Sequence, residues 1–155
     1  MIIRQFQKSD ARACCSVITA CINAETSLDP QTRFYLLSQN VPSDFYNDVK
    51  DDYVLVGELY GQIVAVGALD KDRIHHIYVS PDYRGNGFGE TLMVALEAEA
   101  KAHGIEIINV EVPPPAVEFY QELGYQSLNR IVTKVGYSTV EMTHMNKYLS
   151  KFAGV

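Results

Sequence analysis

The sequence is poor in cysteine, and the cysteine it has forms no pattern. Its three cysteines in 155 residues, Cys14, Cys15 and Cys21, are an odd number inside eight positions, with no CxxC and no Cys/His ligand spacing. A disulfide scaffold is excluded, and the cysteines read as small apolar helix residues in a reducing compartment. Long apolar runs are missing too: none approaches the roughly 20 residues that span a bilayer. The opening stretch MIIRQFQKSDARACC is broken by charges and has no signal-peptide core. The expectation is a cytoplasmic protein with no membrane partner. Positive charge is also scarce. Thirteen Lys plus Arg against nineteen Asp plus Glu leave −6, the wrong sign for binding nucleic acid through phosphate neutralisation. With no linker, repeat or low-complexity tract, one domain over residues 1–155 is expected, and 47% hydrophobic residues suffice for its core.

Within that domain, strands and helices are interleaved. Ile2, Ile3 and Phe6 suggest an opening strand, and Ser9 or Asp10 offers an N-cap oxygen for a helix reaching Ala24. Two short aromatic-rich helical pieces follow, Gln31 to Gln39 and Ser43 to Val49. Tyr53 to Leu59, Gln62 to Leu69 and Ile74 to Val79 read as three meandering strands, the first two joined by Tyr60 and Gly61. A helix with Leu92, Leu96 and Ala100 on one face ends at Gly104. Ile105 to Val112 is a buried strand stopped by Pro113, Pro114 and Pro115. A short helix carries Phe119 and Tyr120 up to Gly124, and two strands, Ser127 to Val135 and Ser138 to Tyr148, complete the chain. This is an α+β domain built on a mixed sheet.

Between the third strand of the meander and the long helix stands Arg84, Gly85, Asn86, Gly87, Phe88, Gly89. Glycines there allow a tight turn that aims free N–H groups outward, and the helix dipole adds attraction for an anion. A dinucleotide GxGxxG fails, because its third position is Glu90 or Leu92 depending on the starting glycine. A Walker A loop fails as well, because Gly89 is followed by Glu90 and Thr91 rather than Lys and Ser or Thr. A strand-to-helix turn without a ligand stays open at this point.

The segment VSPDYRGNGFGETLM resembles the acetyl-CoA motif of the GNAT superfamily of N-acetyltransferases, with Arg84, Gly87 and Gly89 in the three defining positions. AVEFYQELGY is similar to that family's second signature, through Phe119, Tyr120, Gly124 and Tyr125. The resemblance implies a mixed, mostly antiparallel sheet flanked by helices and splayed between its fourth and fifth strands. Acetyl-CoA as co-substrate would lie in the splay. Its pantetheine arm would run along the main chain of Ile77, Tyr78 and Val79, and its pyrophosphate would rest on the amides of Arg84, Gly85, Asn86, Gly87, Phe88 and Gly89. Where many relatives carry Asn or Ser just after the second of these strands, this chain has Pro113.

The implied reaction is direct transfer to a primary amine of a small molecule or peptide, with no covalent enzyme intermediate. It needs a proton acceptor and a donor for the leaving thiolate. The resemblance makes Tyr120 the donor, the alternative being a packed aromatic. His75 and His76 are strand neighbours and should point to opposite faces, so only one can enter the cleft. His75 shares parity with Ile77 and Val79 and is the expected base, with deprotonation through water as the alternative. No residues have metal-ligand spacing, so no metal is expected. The acceptor should meet the stretch from Asp29 to Asp52 and the final strand pair. There Asp44, Asp48, Asp51 and Asp52 either attract a cationic amine or form a solvated face. Arg33, Phe34, Tyr35, Phe45 and Tyr46 either line the pocket or pack in the core. A non-catalytic acyl-CoA-binding module, a longer acyl chain and a homodimer are all compatible with the sequence.

Overall fold

Seven strands form one sheet in the computed structural model, which describes residues 1–136 and 138–149; the rest of the expected domain lies outside the described residues. They are β1 (Ile2–Gln5), β2 (Tyr53–Leu59), β3 (Gln62–Asp70), β4 (Arg73–Val79), β5 (Ile107–Val112), β6 (Gln126–Val135) and β7 (Ser138–Tyr148). Their spatial order is β1-β2-β3-β4-β5-β7-β6, antiparallel throughout except for the parallel pair β4/β5. Helices α1 (Ala11–Ala24), α2 (Pro30–Gln39), α3 (Pro42–Val49), α4 (Phe88–Ala102) and α5 (Val117–Glu122) complete the fold. Among the described residues no helix is long and apolar enough to cross a membrane.

β2 and β3 read as nearly continuous apolar runs because both sheet faces are covered there. On one face α4 packs Leu92, Met93, Leu96 and Ala100 against Leu55, Ile74, Ile108 and Val110. On the other, Cys14 and Ile18 of α1 and Phe45 and Val49 of α3 pack against Val54, Val56 and Val66. The cysteines are all free and buried on α1 as expected, and burial pushes the Cys14 thiol up to about 12.

Local chemistry sets the element ends. Pro30 and Pro42 open α2 and α3, where a missing N–H costs nothing, and the Asp29 carboxylate caps α2 through the Thr32 N–H at 2.9 Å. Asp10 precedes α1 but makes no side-chain cap; its carboxylate accepts from Arg4 and from the Gln7 N–H instead. β5 starts at Ile107 rather than Ile105, because the Ile105 N–H turns back to the Ala100 carbonyl at 3.0 Å and closes α4.

Two irregularities in β4 shape the centre of the sheet. The first lies toward β5, with which β4 shares one residue pair, Arg73 with Asn109, before the strands diverge. The splay expected between the fourth and fifth strands is therefore present. The second lies toward β3, where Val66 pairs with Tyr78 and Ala68 with His75, so that His76 and Ile77 together face Gly67 alone. This is a β-bulge, and His76 takes the left-handed conformation, φ +56°, that closes it. Gly67 makes the bulge possible, since a Cβ there would stand 2.5 Å from Ile77 Cδ1.

Candidate active site

The bulge corrects the alternation expected from the sequence. One extra residue breaks the two-residue period, so His75 and His76 do not point to opposite faces. Ile74, Ile77 and Val79 pack on the α4 side, whereas Tyr78 packs on the α1 and α3 side. The two imidazoles lie side by side with centroids 4.4 Å apart, and both reach the same cavity. The parity assigned to His75 with Ile77 and Val79 is lost for the same reason.

Each imidazole is held by a carboxylate from the α3 region. His75 Nε2 lies 2.7 Å from Asp52 Oδ2, whose side chain is almost wholly buried, and His76 Nε2 lies 2.5 Å from Asp48 Oδ2, which is exposed. Burial, followed by the neighbouring His75, pulls the His76 pKa below the usual imidazole value; Asp48 and Asp52 oppose the shift without reversing it. Asp48, His75 and His76 bring one ligand atom each within 4.8 Å of one another, a grouping their sequence spacing does not announce. As placed, these groups are two histidine–carboxylate pairs.

The cavity beside them has a volume of about 1210 Å³ and follows the divergence of β4 and β5. Ile77, Tyr78 and Val79 line its wall. The Val79 carbonyl is engaged by the Cys21 thiol at 3.2 Å, a contact not legible beforehand. At the end of β4, Arg84, Gly85, Gly87, Phe88 and Gly89 line the cavity. Gly85 and Gly87 have φ of +82° and +75°, which side chains with a Cβ rarely adopt. The first bond inside α4 runs from the Thr91 N–H to the Gly87 carbonyl at 3.0 Å, leaving the amides of Phe88 and Gly89 without an intrahelical acceptor. Asn86 is not on the wall; its side-chain amide donates to the Tyr83 carbonyl at 2.9 Å and ties the loop.

Tyr120 of α5 also lines the cavity, 7% exposed, with its ring edge-on to Phe119 and Tyr125 at 5.1 and 5.5 Å. Burial, helped by Tyr78, raises its phenol above the ordinary value, so it is protonated at neutral pH. Among the described residues its hydroxyl has no hydrogen-bond partner, yet only Tyr125 Oη is both buried and orphaned, so the Tyr120 hydroxyl is open to the cavity. Pro113 lines the wall where β5 ends.

Leu28, Asp29, Thr32 and Leu36 approach from the helical side, and Val135 and Thr139 to Met142 from the last hairpin. Of the five residues proposed for pocket or core, none lies on the wall. Phe45 is core, Phe34 is exposed, and Arg33 holds the Ile22 and Glu25 carbonyls at 2.6 and 2.8 Å. Glu111, which sequence reading passed over, does line the cavity. Its only signal was a charge near the end of the strand IINVEV, in which Asn109 is the one other polar residue.

Residues 24–146 match the family described as acetyltransferase (GNAT) domain. The chain belongs to the GNAT acetyltransferase family. It is 33% identical over 85 residues to an acetyltransferase of Yersinia pestis, a stretch covering 50% of this chain and 60% of that protein. A match to an uncharacterized N-acetyltransferase of Methanocaldococcus jannaschii, 39% identical over 56 residues, covers 34% of this chain and 25% of that one. The matched stretches thus span less than two thirds of either relative. A crystal structure of a GCN5-related N-acetyltransferase from Rhodopseudomonas palustris superposes with a TM-score of 0.90 at 27% identity, covering 96% of this chain and 95% of that one. A GNAT phosphinothricin acetyltransferase from Sinorhizobium meliloti, solved with acetyl-CoA, shares the fold at a TM-score of 0.74 and 13% identity, covering 99% and 91%.

Proposed function

We propose that this GNAT domain transfers the acetyl group of acetyl-CoA to a primary amine of a small molecule or peptide by direct attack. One observation carries the reading. The cavity between β4 and β5 ends at a loop of unspent amides and carries, along the same wall, a hydrogen-bonded histidine pair and an open phenol hydroxyl. The fold shared with the acetyl-CoA complex from Sinorhizobium meliloti supports acetyl-CoA as the co-substrate.

The loop amides and Arg84 suit a pyrophosphate, and the unpaired edge of β4 suits an amide-bearing arm. The acceptor nitrogen attacks the thioester carbonyl, the C–N bond forms and the C–S bond breaks. His75, anchored on Asp52, takes the amine proton with His76 beside it, and the Tyr120 hydroxyl donates to the departing sulfur. His76 stays neutral further into the acid range than an exposed histidine, so it adds no positive charge beside His75 near neutrality. The buried free cysteines on α1 support a reducing, cytoplasmic location.

Isothermal titration with acetyl-CoA, CoA and NAD, followed by thiol release on a panel of amines, tests the proposal. Binding of acetyl-CoA with turnover on some amine is the expected result. Binding without turnover would replace the enzyme with an acyl-CoA-binding module, and absence of binding would overturn the reading altogether.

A further inference from the structure

Three side chains able to ligate a metal converge beside the cavity. Asp48, His75 and His76 each bring one nitrogen or carboxylate oxygen within 4.8 Å of the others, and they are the one such group among the described residues. Two imidazole nitrogens and a carboxylate oxygen are donors that suit zinc and its neighbours, whereas magnesium and calcium select oxygen ligands. The donor set therefore discriminates by chemistry, not by charge alone.

The backbone holds the two imidazoles together whether or not anything binds them. The bulge opposite Gly67 and the left-handed turn at His76 set their centroids 4.4 Å apart. Asp48 and Asp52 stand 2.5 and 2.7 Å from His76 Nε2 and His75 Nε2, so two carboxylates answer the two charges of a divalent ion. Arg73 opposes such an ion, with Nη2 3.5 Å from His75 Nδ1, yet its side chain is 46% exposed and has Asp70 at 3.9 Å to turn to. Four-coordinate zinc keeps nitrogen and oxygen ligands about 2.1 Å away, hence about 3.4 Å from one another. Reaching that spacing from 4.8 Å at the widest and 2.5 Å at His76–Asp48 takes shifts of about 1 Å, which the exposed Asp48 side chain has room to make.

We infer that Asp48, His75 and His76 form a binding site for a divalent ion of the zinc class, and that a filled site blocks acetyl transfer. The ion takes the place of the proton that His76 and Asp48 share. An imidazole lone pair given to a metal cannot accept the amine proton, and the added positive charge repels a cationic acceptor. Metal binding stands apart from the acetyl-transfer reading above; the block rests on it.

Zinc chloride titrated by calorimetry into the chelator-treated full chain should bind at one ion per chain, and magnesium chloride should give no saturable heat. Cobalt chloride in its place should develop a visible absorption that zinc abolishes. His76→Asn, which tolerates the left-handed backbone, and Asp48→Asn, at an exposed position, should each weaken zinc by about tenfold or more, the least that losing even an outer partner of a metal costs. His103→Ala and Cys21→Ser alter another histidine–carboxylate pair and the thiol on the cavity wall, and should leave zinc affinity unchanged. Absence of saturable zinc binding would overturn the inference, as would an affinity untouched by both His76→Asn and Asp48→Asn. Saturating zinc should also lower the yield of acetylated amine by about tenfold or more, with recovery on adding chelator. That yield is read by mass spectrometry, because zinc binds the released thiol. Full activity with the site filled would overturn the block. Failure of the underlying reading looks different: no amine is acetylated even after chelator treatment, while the calorimetry still decides the metal site.

Discussion

The imidazoles of His75 and His76 lie 4.4 Å apart although the two residues are neighbours in one strand, and the left-handed backbone of His76 opposite Gly67 is the cause. Two bases that share a wall at this separation act as a unit rather than as separate contributors. His75→Ala or His76→Ala should each lower kcat/KM by about tenfold or more, and the double variant should fall little below the worse single one. The loss should shrink at about pH 9, where more of the amine is already free. Fully multiplicative losses, or losses independent of pH, would count against a shared role in taking the proton.

The His76–Asp48 contact gives a signed prediction for the pH profile. Burial and His75 lower the His76 pKa while Asp48 raises it, so the acid limb of kcat/KM should lie below the ordinary histidine value of about 6.5. Asp48→Asn removes the raising contribution and should move that limb to still lower pH. A limb that moves upward would show that Asp48 acts on another group. Asp48 is exposed at the end of α3, so the exchange leaves the packing of Phe45 and Val49 untouched.

The parts of this site that were legible in the sequence are those made of local pattern. The glycine loop and the α4 stripe of Leu92, Leu96 and Ala100 follow from turn chemistry and periodicity that neighbouring residues carry among themselves, whereas the splayed strand pair was implied by the resemblance to the GNAT family alone. The histidine pair was misread because strand alternation assumes an unbroken ladder, and the extra residue in β4 is visible only once β3 is laid beside it. Asp48 and Asp52 sit 28 and 23 positions from the histidines they bind, so nothing local links them. Glu111 was hidden for a related reason: its strand is covered on one face, and which face holds position 111 depends on where α4 packs.

Tyr120 is aimed into the cavity by packing rather than by hydrogen bonds, since Phe119 and Tyr125 grip its ring edge-on while its hydroxyl meets no acceptor among the described residues. Tyr120→Phe therefore keeps the ring packing and removes the hydroxyl that would supply the proton. Acetyl-CoA affinity by titration calorimetry should be unchanged, while kcat should fall more than about tenfold for every amine tested. An unchanged kcat would reduce Tyr120 to a packing residue of α5. Gly89 belongs to the same contact: a Cβ there would stand 3.1 Å from Phe119 Cζ, tight enough to disturb the aromatic group that orients the phenol.

Stability at the opening of the fold turns on Arg4 and Asp10. The guanidinium donates to both carboxylate oxygens at 2.7 and 2.9 Å and to Glu58 at 2.7 Å, while the Gln7 N–H also donates to Asp10 at 2.7 Å. The Arg4 bond is the largest cause holding the Asp10 carboxyl below the usual range, with the Gln7 N–H in support and burial opposing. A carboxyl whose folded pKa is depressed contributes stability above its unfolded value of about 3.9 and loses it as pH falls through the folded value. Arg4→Met should cost about 1 kcal/mol near neutral pH, a figure kept low because the Arg4 side chain is 32% exposed. In urea unfolding the gap between native and variant proteins should be full at about pH 7, narrow once the pH drops below about 4, and close as Asp10 protonates in the folded state. A gap that stays constant across that range would mean that Arg4 stabilises β1 through packing of its methylenes and not through the charge of Asp10.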